Sequence, residues 1–100
     1  MSVYSIWEST FPSASHEEGA EITRAIWADM RGFDGYEDHE IVEDLGCPGH
    51  LFVISRWQSR DAAEAAMCYR SSPTARRADA LVSEPRRRML GGVIDATRTA

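Results

Sequence analysis

The sequence predicts an α+β fold of the ferredoxin-like type: elements in the order β-α-β-β-α-β, with a four-stranded antiparallel sheet and helices on one face. Three observations lead to this prediction. Residues 3–11 and 33–43 alternate between two faces, as strands do. Residues 51–54 (LFVI) form a short apolar run, typical of a central strand covered on both faces. Ser15 and Ser59 stand where helix N-caps are expected.

The first strand is expected over residues 3–11, and the first helix from Ser15 to about Arg31. Ser15 and Glu18 have the spacing of a capping box, in which each side chain accepts a hydrogen bond from the other residue's backbone N–H. Apolar residues four apart predict the buried stripe of this helix: Ile22, Ile26 and Met30.

The second strand alternates less regularly. Its pattern places Tyr36 and Val42 on one face and His39 and Ile41 on the other. The many acidic residues between them favour an edge strand, where charge discourages pairing with other chains. Residues 47–50 (CPGH) have proline and glycine in the order of a type II turn, so the third strand should run antiparallel to the second.

A second helix is predicted over residues 60–70, and a Ser-Ser-Pro sequence then starts a further helical segment over residues 74–82. The last strand is expected over residues 87–96. Gly91 and Gly92 inside it predict a β-bulge or a close backbone approach. Both helices should cover the same face of the sheet. The other face then needs a second copy, so we expect a homodimer packed sheet to sheet.

Composition narrows the possible functions. One hundred residues are expected to form a single domain, residues 1–100. The chain has neither a membrane-spanning run nor a signal-peptide pattern, so a cytoplasmic protein is expected.

A net charge of −5 argues against nucleic acid or membrane as a partner. All eleven basic residues are arginine, which excludes Schiff-base chemistry on lysine. Cys47 and His50 could supply only two metal ligands, so no metal is expected.

Two segments carry a family resemblance: residues 32–37 (GFDGYE) and residues 56–59 (RWQS) with the helix that follows. With the element order, they resemble the antibiotic biosynthesis monooxygenase family, from Tyr4 to about Ala96. The resemblance implies a dimeric α+β barrel. It also implies that polyaromatic phenols or anthrones are oxidised to quinones by dioxygen, without metal, flavin or nicotinamide. The function expected is therefore a cofactor-independent monooxygenase, and the alternative is a non-catalytic small-molecule-binding or structural homodimer on the same fold.

Other members of this family degrade haem with an asparagine on the first strand and a tryptophan and a histidine in the later helices. This sequence contains no asparagine. Met67 or Cys68 falls near the position of the tryptophan, and Ala78 falls near that of the histidine. Haem degradation is therefore disfavoured, and no cofactor is expected.

Candidate substrate-binding residues are mostly aromatic, because stacking on flat walls suits a polyaromatic ligand. They are Trp7, Tyr36, Trp57 and Met67. Large rings also dominate the cores of small domains, so the alternative interpretation is that the aromatic residues among them only fill the core.

Three further residues are candidates for catalysis. His39 could act as a base, because it titrates near neutrality. Tyr69, just before the helix break, could donate a hydrogen bond to a substrate oxygen. Arg86 could hold a phenolate or carboxylate, and alternation places Arg86 and Arg88 on one strand face and Arg87 on the other. The simpler alternatives are a surface imidazole, a half-buried ring and a solvated basic patch.

Overall fold

The computed structural model describes residues 2–97. The predicted order of elements is confirmed, and the elements are β1 (Val3–Thr10), α1 (His16–Met30), β2 (Tyr36–Glu43), β3 (His50–Trp57), α2 (Arg60–Ala65), α3 (Pro73–Leu81) and β4 (Arg87–Gly92). The chain passes from α2 to α3 through a 3₁₀ helix, Ala66–Ser71. Within residues 2–97, every helix is too short or too polar to span a bilayer.

The strands form one antiparallel sheet in the order β2-β3-β1-β4. The ferredoxin-like prediction and the edge position of β2 are thus confirmed. In β3, buried and half-buried residues alternate without exception. The buried ones face the helices, and the apolar residues of α1 that were predicted to be buried pack on them: Ile22, Ile26 and Met30.

The tight turn between β2 and β3 has the predicted type II form. The N–H of His50 donates to the carbonyl of Cys47 at 3.1 Å. Gly49 has φ +87°, a left-handed conformation that disfavours any residue with a Cβ. A Cβ at Gly49 would also lie 2.7 Å from the carbonyl oxygen of Phe11. This turn is therefore fixed by both backbone conformation and packing.

Two expectations about helix starts and strand β4 are wrong. Ser15 belongs to a 3₁₀ turn, Ser13–Ser15, and its side chain makes no capping hydrogen bond, because its backbone is not extended as an N-cap requires. The β1–β4 ladder keeps one register, and a Cβ at Gly92 would meet no atom within 4 Å. The two glycines of β4 therefore mark neither a bulge nor a close approach, and β4 ends at Gly92 instead of continuing to residue 96.

The bulge lies in β2 instead. Tyr36 pairs with Trp57 and Asp38 pairs with Arg56, so Glu37 is an extra residue in the ladder. An extra residue reverses the alternation of the residues before it. The prediction that Tyr36 and His39 face opposite sides of the sheet is therefore wrong, since both lie on the side of the helices.

The other side of the sheet is the open face, which we define by its apolar residues: Ile6, Val42, Phe52, Ile54 and Met89. Val42 and Met89 are 40% and 55% exposed, and no described helix packs over them. β3 was expected to be covered on both faces. Within the described part of one chain, it is covered on the helix side and not on the open face.

Replacing Gly49 with alanine should lower the free energy of unfolding by about 1–3 kcal/mol, because the new Cβ is strained at positive φ and crowds the Phe11 carbonyl. Gly92→Ala is the matched control, with open space at its Cβ. It should change stability by less than about 0.5 kcal/mol. Urea denaturation followed by circular dichroism measures both, and equal losses in the two variants would contradict the role assigned to the turn.

Candidate functional site

A cleft lies between the helix-covered side of the sheet and the segment that contains α2, the 3₁₀ helix and α3. About 440 Å³ of empty space, part of it open solvent, lies among its wall atoms. The part that the centre of a water-sized sphere can reach is about 30 Å³. The cleft is therefore a narrow slot. Small side chains leave this room where the helices approach the sheet: Ala63, Ala66 and Ala75.

Five of the seven residues singled out from the sequence line this cleft: Trp7, Trp57, Met67, Tyr69 and Arg86. Trp57 is 1% exposed and forms part of the back wall. Its indole N–H donates to the hydroxyl of Ser55 at 3.0 Å, and that hydroxyl donates to the carbonyl of Ser5 at 3.1 Å. The ring is therefore held in one orientation.

Tyr36 and His39 do not line the cleft. They contact the tryptophans that do: the centroid of the Tyr36 ring lies 5.7 Å from that of Trp57, edge to face, and the centroid of His39 lies 5.5 Å from that of Trp27. The Tyr36 hydroxyl and His39 Nδ1 are 2.5 Å apart. Burial, and next the charge of Arg31, lowers the pKa of His39, while burial raises the pKa of Tyr36. The lowered pKa of His39 favours its neutral imidazole, and His39 and Tyr36 together support the tryptophans of the cleft wall from behind.

Tyr69 connects the cleft to solvent. Its hydroxyl donates to Oδ2 of Asp29 on α1 at 2.5 Å. Burial is the main cause that raises the pKa of Tyr69, and the hydrogen bond to Asp29 adds to it. Tyr69 is therefore protonated at neutral pH, and its partner carboxylate belongs to an exposed residue. A phenol bonded in this way can receive one proton as it passes its own to the carboxylate.

Three guanidinium groups border the cleft. Arg86 donates through Nε to Asp79 at 2.7 Å, and its Cζ lies 5.1 Å from the centre of the Trp7 ring. The Cζ of Arg70 lies 5.5 Å from the same ring. Cations over an indole are attracted to the negative face of the ring. The third guanidinium belongs to Arg88, and its two Nη atoms donate to Glu64 and to the carbonyl of Ala63.

The predicted alternation of the arginine run is confirmed. The side chains of Arg86 and Arg88 are 9% and 15% exposed and line the cleft. The side chain of Arg87 is 77% exposed and pairs with Glu8 on the opposite side of the sheet. The carboxylate partners of Arg86 and Arg88 are Asp79 on α3 and Glu64 on α2.

Trp27, beside Ile26 of the buried stripe, also lines the cleft. Sequence reasoning missed other lining residues, among them Arg70. Arg70 gave no signal, because the change from α to 3₁₀ geometry at Ala66 alters which side chains share a face. In the described part of the chain, no three histidine, cysteine, aspartate or glutamate side chains are arranged to hold a metal ion.

No protein-family model matches this sequence, and a search of curated proteins gives no match. Solved structures do match. A variant of SnoaB, a cofactor-independent oxygenase from Streptomyces nogalater, has a TM-score of 0.83 at 17% identity, with 95% of each chain covered. A structure described as antibiotic biosynthesis monooxygenase has a TM-score of 0.76 at 14% identity, covering 93% of this chain and 99% of the other.

Rv0793 from Mycobacterium tuberculosis has a TM-score of 0.76 at 20% identity and covers 98% of this chain and 100% of its own. Such identities establish shared architecture and leave the chemistry to the residues of each site. The chain therefore has the ferredoxin-like α+β fold of the antibiotic biosynthesis monooxygenases, as the sequence resemblance predicted.

Proposed function

We propose that the protein is a cofactor-independent monooxygenase that oxidises a hydrophobic, hydroxylated aromatic molecule with dioxygen, and that it works as a homodimer. The observation that carries the proposal is one narrow cleft with indole walls, guanidinium groups at its border and a tyrosine–carboxylate pair leading to solvent. SnoaB, whose fold this chain shares, is a cofactor-independent oxygenase.

The walls would hold the substrate by apolar contact, because Trp7 and Trp57 both lie in the lining. Arg86 would then stand beside the substrate with its charge fixed in place by Asp79. A positioned cation stabilises an anion that forms during the reaction, and it does so most strongly where water is excluded.

The reaction would begin with loss of a proton from the substrate. The phenolic or benzylic proton passes to the oxygen of Tyr69 while the proton of Tyr69 passes to Asp29 and then to water. The substrate anion, held by Arg86, supplies the electrons that reduce dioxygen. For a benzylic CH₂ group, one oxygen atom ends as the new carbonyl and the other leaves as water with the two hydrogens. Atoms and electrons balance without any further reductant.

A specific observation favours the second candidate, a non-catalytic binding protein. Among the described residues that line the cleft there is no histidine, aspartate or glutamate, so removal of the substrate's proton would depend on the neutral phenol of Tyr69 and its hydrogen bond to Asp29. His39, the candidate base, supports Trp27 from outside the lining. Whether Tyr69 and Asp29 suffice as a proton path therefore separates the two functions.

The homodimer would bury the open face. Its row of Ile54, Ile6 and Met89 crosses three neighbouring strands and is continuous with Phe52. A two-fold axis through this patch would pack the apolar row of one chain on the same row of the second chain. Symmetric dimers use this kind of self-complementary contact. Charged pairs at both ends, Arg56 with Asp38 and Arg87 with Glu8, would form a polar rim.

Oxygen uptake by Tyr69→Phe tests the proton path. With an anthrone or hydroquinone substrate and no added metal or flavin, kcat should fall by about 10²–10⁴-fold, because the phenyl ring cannot relay a proton. KM should change little. Tyr4→Phe is the control, since Tyr4 lies on the opposite side of the sheet. If the wild-type protein consumes no dioxygen above the enzyme-free rate across a panel of such substrates, the binding function replaces the enzymatic one.

Ile54→Glu should convert the dimer to a monomer, because a carboxylate at the centre of the open face would lose its water in the interface. Leu45→Glu is the matched control, since Leu45 is 99% exposed in the β2–β3 turn. Size-exclusion chromatography with light scattering measures both masses. An Ile54→Glu protein with the same mass as wild type would locate any interface elsewhere.

A further inference from the structure

We propose that His50 makes the homodimer sensitive to pH: two open faces associate while His50 is protonated, and loss of that proton under alkaline conditions weakens their association. This regulation rests on the proposed homodimer, because it acts through the contact between two open faces.

His50 lies at one end of the open face. It begins β3 and alternates with Phe52 and Ile54, so all three side chains point to the same side of the sheet. The centroid of its ring lies 4.7 Å from that of Phe52. The side chain of His50 is 20% exposed. The imidazole therefore stands at the boundary between the apolar residues that a second copy would cover and the charged residues around them.

Two carboxylates hold the imidazole through both ring nitrogens. Nε2 lies 2.7 Å from Oε2 of Glu8 on β1, and Nδ1 lies 3.1 Å from Oδ2 of Asp44 in the β2–β3 turn. An ionised carboxylate only accepts hydrogen bonds, and a neutral imidazole has a single N–H to donate. Both contacts become hydrogen bonds only when the ring is protonated, so this arrangement favours the cation.

Other charged groups surround the same end. Arg87 of β4 donates to Oε1 of Glu8 at 3.0 Å. Glu84 lies within 3.5 Å of the hydroxyl of Thr10, the residue that pairs with His50 across β1 and β3. Two titratable residues lie near the turn on the helix side and make no described hydrogen bond to His50: His16 and Glu43.

Charge at the two ends of the open face gives the proton its effect. The charged residues at the His50 end are Glu8, Asp44, Glu84, Arg87 and His50. Three carboxylates and two cations there leave a net charge of −1, and loss of the proton makes it −2. The opposite end has two carboxylates and one cation: Asp38, Glu40 and Arg56. Whichever end of a second copy it meets, the His50 end therefore faces negative charge.

The proton and the second copy consequently favour each other's binding. Negative charge on the facing copy stabilises the cationic form of His50, so His50 holds its proton more tightly in the dimer than in the monomer. Dimer formation then takes up protons, and the Kd of the dimer rises as the pH passes the pKa of His50. The hydrogen bond to Glu8, and next that to Asp44, raises this pKa. The loss of affinity therefore lies on the alkaline side of about pH 6.5, the ordinary value for histidine.

Analytical ultracentrifugation at constant ionic strength, from about pH 6 to about pH 9, tests the inference. The Kd of the wild-type dimer should rise about 10-fold over this range. His50→Gln should associate weakly with a nearly constant Kd, because glutamine is neutral throughout. His16→Gln is the matched control, since His16 begins α1 on the helix side of the sheet, and it should keep the wild-type pH dependence.

Glu8→Gln is a second test, and it retains His50. Because the carboxylate of Glu8 is the main cause that raises the pKa of His50, its removal should move the loss of affinity to lower pH. Circular dichroism of each variant shows whether it is folded. An unchanged midpoint in a folded Glu8→Gln protein would contradict the role given to His50.

The outcomes separate the dimer from its regulation. A wild-type dimer whose Kd is the same at every pH would overturn this inference and leave the homodimer in place. So would a folded His50→Gln protein with the pH dependence of the wild type. A protein that is monomeric even at the acidic end of the range would contradict the homodimer and, with it, this regulation.

Discussion

The burial of Trp57 is the constraint on which the rest of the structure depends. Its side chain is 1% exposed at the end of β3, and truncating a tryptophan buried to this degree typically costs about 3–5 kcal/mol. A buried indole N–H needs an acceptor, and the hydroxyl of Ser55 supplies it while bonding to β1. One side chain thereby connects through Ser55 to the neighbouring strand, belongs to the core and forms part of the back wall of the cleft.

The bulge at Glu37 brings Tyr36 opposite Trp57 in the ladder, where its ring packs edge to face on the indole. That arrangement brings Tyr36 and His39 together behind the wall, so two aromatic residues with ionisable groups support the site from outside the lining. A hydrogen-bonded pair in that position stiffens the wall.

Much of this fold is predictable from the sequence, because alternation and turn chemistry are local. Three features are visible in short stretches of the sequence: strand β3 in residues 51–57, the turn in Gly49, and the buried face of α1 in the apolar stripe that ends at Met30. The composition of the cleft is less predictable, since its shape depends on events that alternation does not record. The extra residue at position 37 reverses the face of Tyr36, and the 3₁₀ turn after Ala65 brings Arg70 over Trp7. Each is decided by tertiary packing.

Arginine, and not simply positive charge, gives the cleft its character. Arg86 uses one edge of its guanidinium on Asp79 while its charge lies over Trp7, and an ammonium group could not occupy both positions at once. A fixed guanidinium leaves its remaining donors pointing in set directions. Tyr69 lies in the same lining with its proton directed to Asp29, so the proposed reaction would divide two tasks between two residues. Tyr69 would remove the proton, and Arg86 would stabilise the charge that remains.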